Sequence, residues 1–127
     1  MAPLTAFDRL VSLEPGSSAT AIRNVPNTLA IFDSHFPRFP VLPGVLILGT
    51  MGSLAARLLE EDTRRSWRLA GANQVGFRHF VQPGDQLEIT VDLKERGDGE
   101  AVLSAEARVE GRVVTRARKL RMVPEAS

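Results

Sequence analysis

A long apolar segment that follows a proline-stiffened loop constrains the fold of this chain more than any other feature. From Gly44 to about Glu61, apolar residues cover nearly every side of the helix that their spacing predicts. They are Val45, Leu46, Ile47, Leu48, Met51, Leu54, Ala55, Leu58 and Leu59. Prolines at positions 37, 40 and 43 exclude a helix before Gly44. Because a helix that is apolar on all sides is buried in a core, the sequence predicts one long central helix.

Six strand-like segments flank this helix, two before it and four after it. The first two span about residues 7–13 and 18–25, around the turn Glu14-Pro15-Gly16. The other four span residues 69–80, 87–93, 103–109 and 113–123. Two of them alternate apolar and polar residues with a period of two, which is typical of strands with one buried face. We therefore predict an α+β domain in which an antiparallel sheet of five to six strands, a hairpin and then a meander, curves around the helix.

Length and composition restrict the class of protein. With 127 residues, the chain is expected to form one domain spanning 1–127. Its net charge of +1 gives no reason to expect a nucleic-acid partner. The chain has no cysteine, no apolar run long enough to span a bilayer and no signal-peptide pattern at its N-terminus. Its two histidines lack nearby acids, so that neither a metal site nor a cofactor is expected, and a cytoplasmic location is the default.

A histidine lies in the loop that enters the predicted helix. His35 is followed by Phe36 and Pro37, and the loop ends with Pro43 and Gly44. The unpaired N–H groups of a helix start carry partial positive charge. An imidazole beside them suits a reaction in which a base removes a proton next to a carbonyl group. The alternative is a loop histidine that only packs among the prolines.

Two motifs carry a family resemblance. Residues 35–45 follow the pattern H-F-P-x-x-P-x-x-P-G-V, and residues 77–87 contain Phe77-Arg78, Val81 and Pro83-Gly84-Asp85-Gln86-Leu87. At this separation the two motifs resemble those of the β-hydroxyacyl-acyl-carrier-protein dehydratases of bacterial fatty-acid synthesis, the FabZ and FabA type, and of their relatives in polyketide pathways. The resemblance implies a hot-dog fold and a dimer.

The resemblance also implies an activity and a set of site residues. The activity is that of a hydro-lyase, a 3-hydroxyacyl-acyl-carrier-protein dehydratase, whose partner is a carrier protein with a phosphopantetheine-bound acyl chain. His35 would be the catalytic base and then the acid, and the N–H of Gly44 would polarise the thioester carbonyl. Four further positions would contact the substrate, namely Phe36, Pro43, Val45 and Gly49.

Position 49 departs from the family pattern. The resembling enzymes have a catalytic glutamate fourteen positions after the histidine, and this chain has Gly49 there. Glycine cannot donate a proton, and Thr50 and Ser53 are weak candidates for holding a water molecule instead. Loss of a positioned acid costs about 10²–10⁴-fold in rate, or roughly 3–5 kcal/mol of barrier. A homodimer of this chain is therefore expected to be a poor dehydratase.

Three interpretations of Gly49 stay open. A partner subunit, a glutamate-bearing paralogue, supplies the acid to a composite site that contains His35. The chain is a non-catalytic structural or acyl-binding subunit of a heteromeric dehydratase. Or it is an acyl-thioester isomerase or thioesterase, for which expulsion of hydroxide is not required. We favour the composite site. The sequence does not determine whether the dimer is a homodimer or a heterodimer. Nor does it determine the length or unsaturation of the acyl chain, or whether the pathway makes fatty acids or polyketides.

A stripe of small residues and a cluster of basic residues each have a functional and a purely structural interpretation. Gly49, Gly52, Ser53 and Ala56 form a stripe of small residues that would widen an acyl channel or let the helix pack closely, and we favour packing. Basic residues crowd the segment from 112 to 121. They would steer an acidic carrier protein, or they form the solvated face of an edge strand, which is the more common case.

Overall fold

The computed structural model describes residues 5–25 and 42–125. They form one α-helix and six β-strands in chain order. The elements are β1 Arg9–Glu14, β2 Ser18–Asn24, α1 Gly44–Thr63, β3 Trp67–Phe77, β4 Gln86–Arg96, β5 Ala101–Val109 and β6 Arg112–Pro124. The predicted helix and all of the predicted strands are confirmed, with ends that differ by a few residues. No helix in these two described stretches is long and apolar enough to cross a membrane.

The strands form one antiparallel sheet in the order β1-β2-β4-β5-β6-β3. The prediction of a meander after the helix was wrong for β3. This strand pairs with β6, for example Leu69 with Met122, whereas β2 pairs with β4, for example Ala21 with Ile89. β4, β5 and β6 do form a meander. The crossover that contains α1 separates β2 from β3, so that β3 joins the opposite edge of the sheet.

The core lies between α1 and one face of the sheet. On the helix, Met51, Leu54 and Leu58 are fully buried. On β4, Leu87 and Ile89 are fully buried, and Glu88 between them faces outward as the period of two predicts. This sheet, curved around one buried helix, is the predicted α+β architecture.

The first turn of α1 is less buried than its apolar sequence predicts. Val45 is 71% exposed, and Leu46 and Leu48 are only partly buried. The described part of the sheet covers the face that carries Ile47 and Met51, but not the opposite side of this turn. An apolar surface is therefore present where the helix begins.

Candidate functional site

An open, mainly apolar cavity of about 450 Å³ lies at the start of α1. Two chain segments line it, residues 42–45 with Ile47 on one side, and Phe77 with residues 79–81 on the other. The N–H of Leu42 donates a hydrogen bond to the carbonyl oxygen of Val81 over 2.6 Å and joins the segments. Cavities of this size and character commonly hold small organic ligands.

Gly44 contributes main-chain atoms to the wall of the cavity. It is the first residue of α1, and no side chain among the described residues caps this helix start. The Phe77 ring packs against the Gly44 Cα so closely that a Cβ at position 44 would lie 2.7 Å from Phe77 Cζ. Glycine avoids this overlap, and any other residue at position 44 would displace the ring. Unpaired N–H groups at a helix start are suited to bind a carbonyl or enolate oxygen.

The predicted site residues fall into three groups. Pro43, Gly44 and Val45 lie together on the cavity wall. His35 and Phe36 lie outside the described residues, so that their positions stay predictions. Gly49 lies further along α1, where a Cβ would overlap the Thr5 side chain. The N-terminal segment therefore occupies the space into which a side chain at position 49 would extend.

The two glycines in the stripe of small residues on α1 pack closely against other segments of the chain. Gly49 faces Thr5, and a Cβ at Gly52 would lie 3.1 Å from the Leu69 Cβ in β3. Ser53 donates a hydrogen bond to the carbonyl oxygen of Gly49 over 3.1 Å. These contacts agree with the packing interpretation for Gly49 and Gly52.

A buried arginine beneath α1 was missed by the sequence analysis. Arg23 is 4% exposed, and its Nη1 donates a hydrogen bond to Thr50 Oγ1 over 2.6 Å. Thr50 Oγ1 in turn donates to the carbonyl oxygen of Leu46 over 2.9 Å. Burial lowers the pKa of the Arg23 guanidinium, and the carboxylate of Asp8 partly opposes that effect. With these two partners, the Thr50 hydroxyl is a poor candidate for holding a catalytic water.

Replacing Thr50 with valine is expected to lower the free energy of unfolding by about 1–3 kcal/mol, because a buried guanidinium N–H loses its acceptor. Urea unfolding measures the loss. Thr20→Val is the matched control, since the Thr20 hydroxyl forms a hydrogen bond of 3.1 Å with another neutral group, the hydroxyl of Thr90. We expect it to cost under about 1 kcal/mol. Equal stability of the Thr50 variant and the unmodified protein would show that the Arg23 guanidinium is satisfied elsewhere.

His79 is a second residue that sequence analysis did not assign to the site. It lies within the predicted strand 69–80, but β3 ends at Phe77, and His79 follows it on the cavity wall. Its backbone N–H lies 3.4 Å from the carbonyl oxygen of Val114, as a long hydrogen bond. Among the described lining residues it carries the one titratable side chain. Its place in the second motif, next to Phe77-Arg78, was the signal that could have found it.

The basic residues of β6 do not lie on an edge strand. β6 is flanked by β5 and β3, so that interpretation was wrong. Arg116 pairs with Glu106 at 2.6 Å, and Arg121 lies 3.6 Å from Glu100. Part of the positive charge is thus neutralised on the sheet. In the described ranges, no three His, Asp or Glu side chains converge as a metal site requires.

Comparison with known proteins places the chain in a family. A model of the ApeI-like family, described as ApeI dehydratase, matches residues 12–115. The chain belongs to this dehydratase family. A 3-hydroxyacyl-[acyl-carrier-protein] dehydratase FabZ of Latilactobacillus sakei is 42% identical over 112 residues, which are 86% of this chain and 80% of the relative. The FabZ of Nitrosospira multiformis is 36% identical over 121 residues, 91% of this chain and 83% of the relative.

Solved structures show the same fold as this ApeI-like dehydratase chain. The dehydratase heterocomplex ApeI:P from Xenorhabdus doucetiae aligns with a TM-score of 0.76 at 14% identity, over 100% of this chain and 87% of that one. A Streptococcus mutans protein bound to acetyl CoA aligns with a TM-score of 0.76 at 15% identity, over 100% of this chain and 94% of that one. The predicted hot-dog fold and the predicted dehydratase family are therefore confirmed.

Proposed function

We propose that this chain is a dehydratase subunit that removes water from 3-hydroxyacyl thioesters carried by an acyl carrier protein. The observation that carries the proposal is the apolar cavity with backbone of Gly44 on its wall, in a chain of the ApeI-like dehydratase family. The names of the FabZ relatives support the substrate class. Fatty-acid or polyketide synthesis is the corresponding type of pathway.

The reaction needs three groups at the substrate. His35 takes the proton from C2, and the negative charge that develops on the thioester oxygen is stabilised by the N–H of Gly44. The bond between C3 and its hydroxyl oxygen then breaks as the C2–C3 double bond forms. A proton delivered to that oxygen lets it leave as water, and the product is a 2-enoyl thioester. Pro43 and Val45 contact the acyl chain, and Phe36 stiffens the loop.

The proton for the leaving hydroxyl cannot come from position 49. Gly49 has no side chain, and the Thr5 side chain packs on it. We propose that the chain works in a hot-dog dimer with a glutamate-bearing paralogue, whose carboxylic acid completes the site. The dehydratase heterocomplex described for a structure of the same fold supports assembly of two different subunits.

His35→Ala is expected to reduce dehydration by about 10²–10⁴-fold, because the general base is lost. The assay measures water loss from a 3-hydroxyacyl carrier-protein conjugate, with the chain alone and mixed with the glutamate-bearing paralogue. Thermal unfolding of the variant controls for misfolding. Activity of the mixture that survives the substitution would contradict the proposed catalytic role and assign the chain a structural one.

Gly49 favours two alternative reactions. Isomerisation of a double bond or hydrolysis of a thioester does not require expulsion of hydroxide from C3, so that an absent acid matters less. The same enzyme preparations, incubated with 2-enoyl and saturated acyl conjugates, test both activities. Turnover of these conjugates without dehydration would replace the proposed reaction.

A further inference from the structure

A buried hydroxyl group of β6 has no hydrogen-bond partner in the described part of the chain. It belongs to Thr115, which has no exposed surface. Within residues 5–25 and 42–125, its Oγ1 is the one buried side-chain oxygen or nitrogen that forms no hydrogen bond. Buried polar groups are nearly always hydrogen-bonded, because an unsatisfied hydroxyl costs the free energy of its lost hydration. A group of this kind therefore needs a specific explanation.

Strand pairing places this hydroxyl on the helix side of the sheet, next to the cavity wall. Thr115 lies directly opposite Phe77 of β3 and Ala107 of β5. Opposed residues of antiparallel strands carry their side chains on the same face, with Cβ atoms about 4.5–5.5 Å apart. Ala107 belongs to the core, and Phe77 lines the cavity with its ring against Gly44. Thr115 is thus the cross-strand neighbour of a residue that lines the cavity.

The surroundings of Thr115 do not suit a buried water molecule. Such a water needs roughly two to four polar partners, and apolar cavities stay dry. The neighbours of Thr115 on this face of the sheet are apolar, namely Phe77, Ala107 and, two residues along β6, Ala117. A keto oxygen on an otherwise apolar chain needs a single donor there, and the Thr115 hydroxyl can supply it.

We propose that Thr115 donates a hydrogen bond to a keto oxygen that the acyl chain of the substrate carries beyond C3. This proposal rests on the proposed dehydration and names the class of acyl chain. The described lining of the cavity includes Phe77 but not Thr115, so that the ring must turn aside to admit the chain. Phe77 is 54% exposed, and its ring is therefore not enclosed by the core.

The fold favours this hydrogen bond energetically. The Thr115 hydroxyl lost its hydration when the chain folded, so that a bound keto oxygen gains the bond without that cost. A substrate of this class comes from a chain-extension reaction that left an earlier keto group unreduced.

Thr115→Val is the decisive variant, because it removes the hydroxyl and keeps the shape of the side chain. We expect its urea midpoint to be unchanged or higher. The substrates are 3-hydroxyacyl carrier conjugates of one chain length, with a keto group at C5, C7 or C9 or with none. For one keto position, we expect kcat/KM of the unmodified protein to exceed that for the plain chain by about 3–10-fold. Thr115→Val should abolish this preference. A preference that survives the substitution, or no preference at any position in the unmodified protein, would overturn the inference.

Two further variants separate the hydroxyl from the packing of the side chain. Thr115→Ser keeps the hydroxyl and loses the methyl group, so that the preference for the keto chain should remain. Thr90→Val removes a hydroxyl that is bonded to Thr20 at 3.1 Å and does not line the cavity, and it should leave the preference unchanged. If either variant abolishes the preference as Thr115→Val does, the effect comes from packing and the inference is wrong.

A binding measurement distinguishes failure of this inference from failure of the proposed function. The probes are acyl pantetheines in which NH replaces the thioester sulfur, with and without the keto group, and calorimetry gives their Kd. We expect the keto probe to bind about 3–10-fold more tightly to the unmodified protein and equally to Thr115→Val. Such binding by a chain that dehydrates no conjugate, alone or with its partner, would remove the proposed function and retain the keto site. Dehydration with equal Kd values for both probes would remove the inference alone.

Discussion

Gly44→Pro is expected to slow dehydration about 10²–10³-fold relative to Gly44→Ala, because removal of one hydrogen-bond donor to a developing oxyanion has an effect of this size. Proline lacks the N–H that we assign to the thioester oxygen, and it is tolerated at the first position of a helix. Pro43 has φ −58° and ψ 139°, which suits a residue that precedes proline. Both substitutions place a Cβ against the Phe77 ring. The difference between their dehydration rates therefore measures the effect of losing the N–H at position 44.

The controls for this comparison come from the same chain. Gly76→Ala adds a Cβ that meets nothing within 4 Å, and it should leave kcat unchanged. Phe77→Ala removes the ring that a Cβ at Gly44 would contact, so that the two substitutions are repeated in that background to relieve the overlap. Equal rates for the proline and alanine variants there would exclude the Gly44 N–H from the reaction.

Leu58→Ala is expected to lower the free energy of unfolding by about 2–5 kcal/mol. Leu58 lies on the buried face of α1 and has no exposed surface, so that truncation leaves a cavity between the helix and the sheet. Chemical denaturation, followed by circular dichroism, measures the change. Because the helix also positions Gly44, activity should fall at temperatures at which the variant begins to unfold.

A second position on the same helix provides the comparison. Val45→Ala removes apolar atoms from a residue that is 71% exposed, and it should change the free energy of unfolding by no more than about 0.5 kcal/mol. Losses of similar size at positions 45 and 58 would contradict the arrangement of the core. They would indicate that the first turn of α1 is covered in solution.

The elements were predictable because each has its own periodicity. The apolar pattern of the helix beyond its first turn and the alternation from Leu87 to Leu93 indicate which residues are buried. The pairing of β3 with β6 was not predictable in this way, because alternation identifies a face of a strand but not the adjacent strand. The crossover through α1 decides that pairing.

The site was predictable where a motif defines it and not where it depends on contacts distant in sequence. The motif identified Gly44, and the structure adds the Phe77 ring that packs against it. The contact of Thr5 with Gly49 and the bond from Arg23 to Thr50 join segments far apart in sequence, and no local pattern indicates them. His79 entered the site in the same way, through the approach of residues 77–81 to the start of α1.

The hydrogen bond between Leu42 and Val81 has a consequence for how substrate preference can evolve. Main-chain atoms hold the two walls together, so that their spacing does not depend on which side chains the walls carry. Replacing Phe77 or Phe80 with a smaller residue would deepen the cavity while the main chain that forms its walls stays in place. Descendants of one ancestor can therefore come to accept longer or shorter chains by single substitutions.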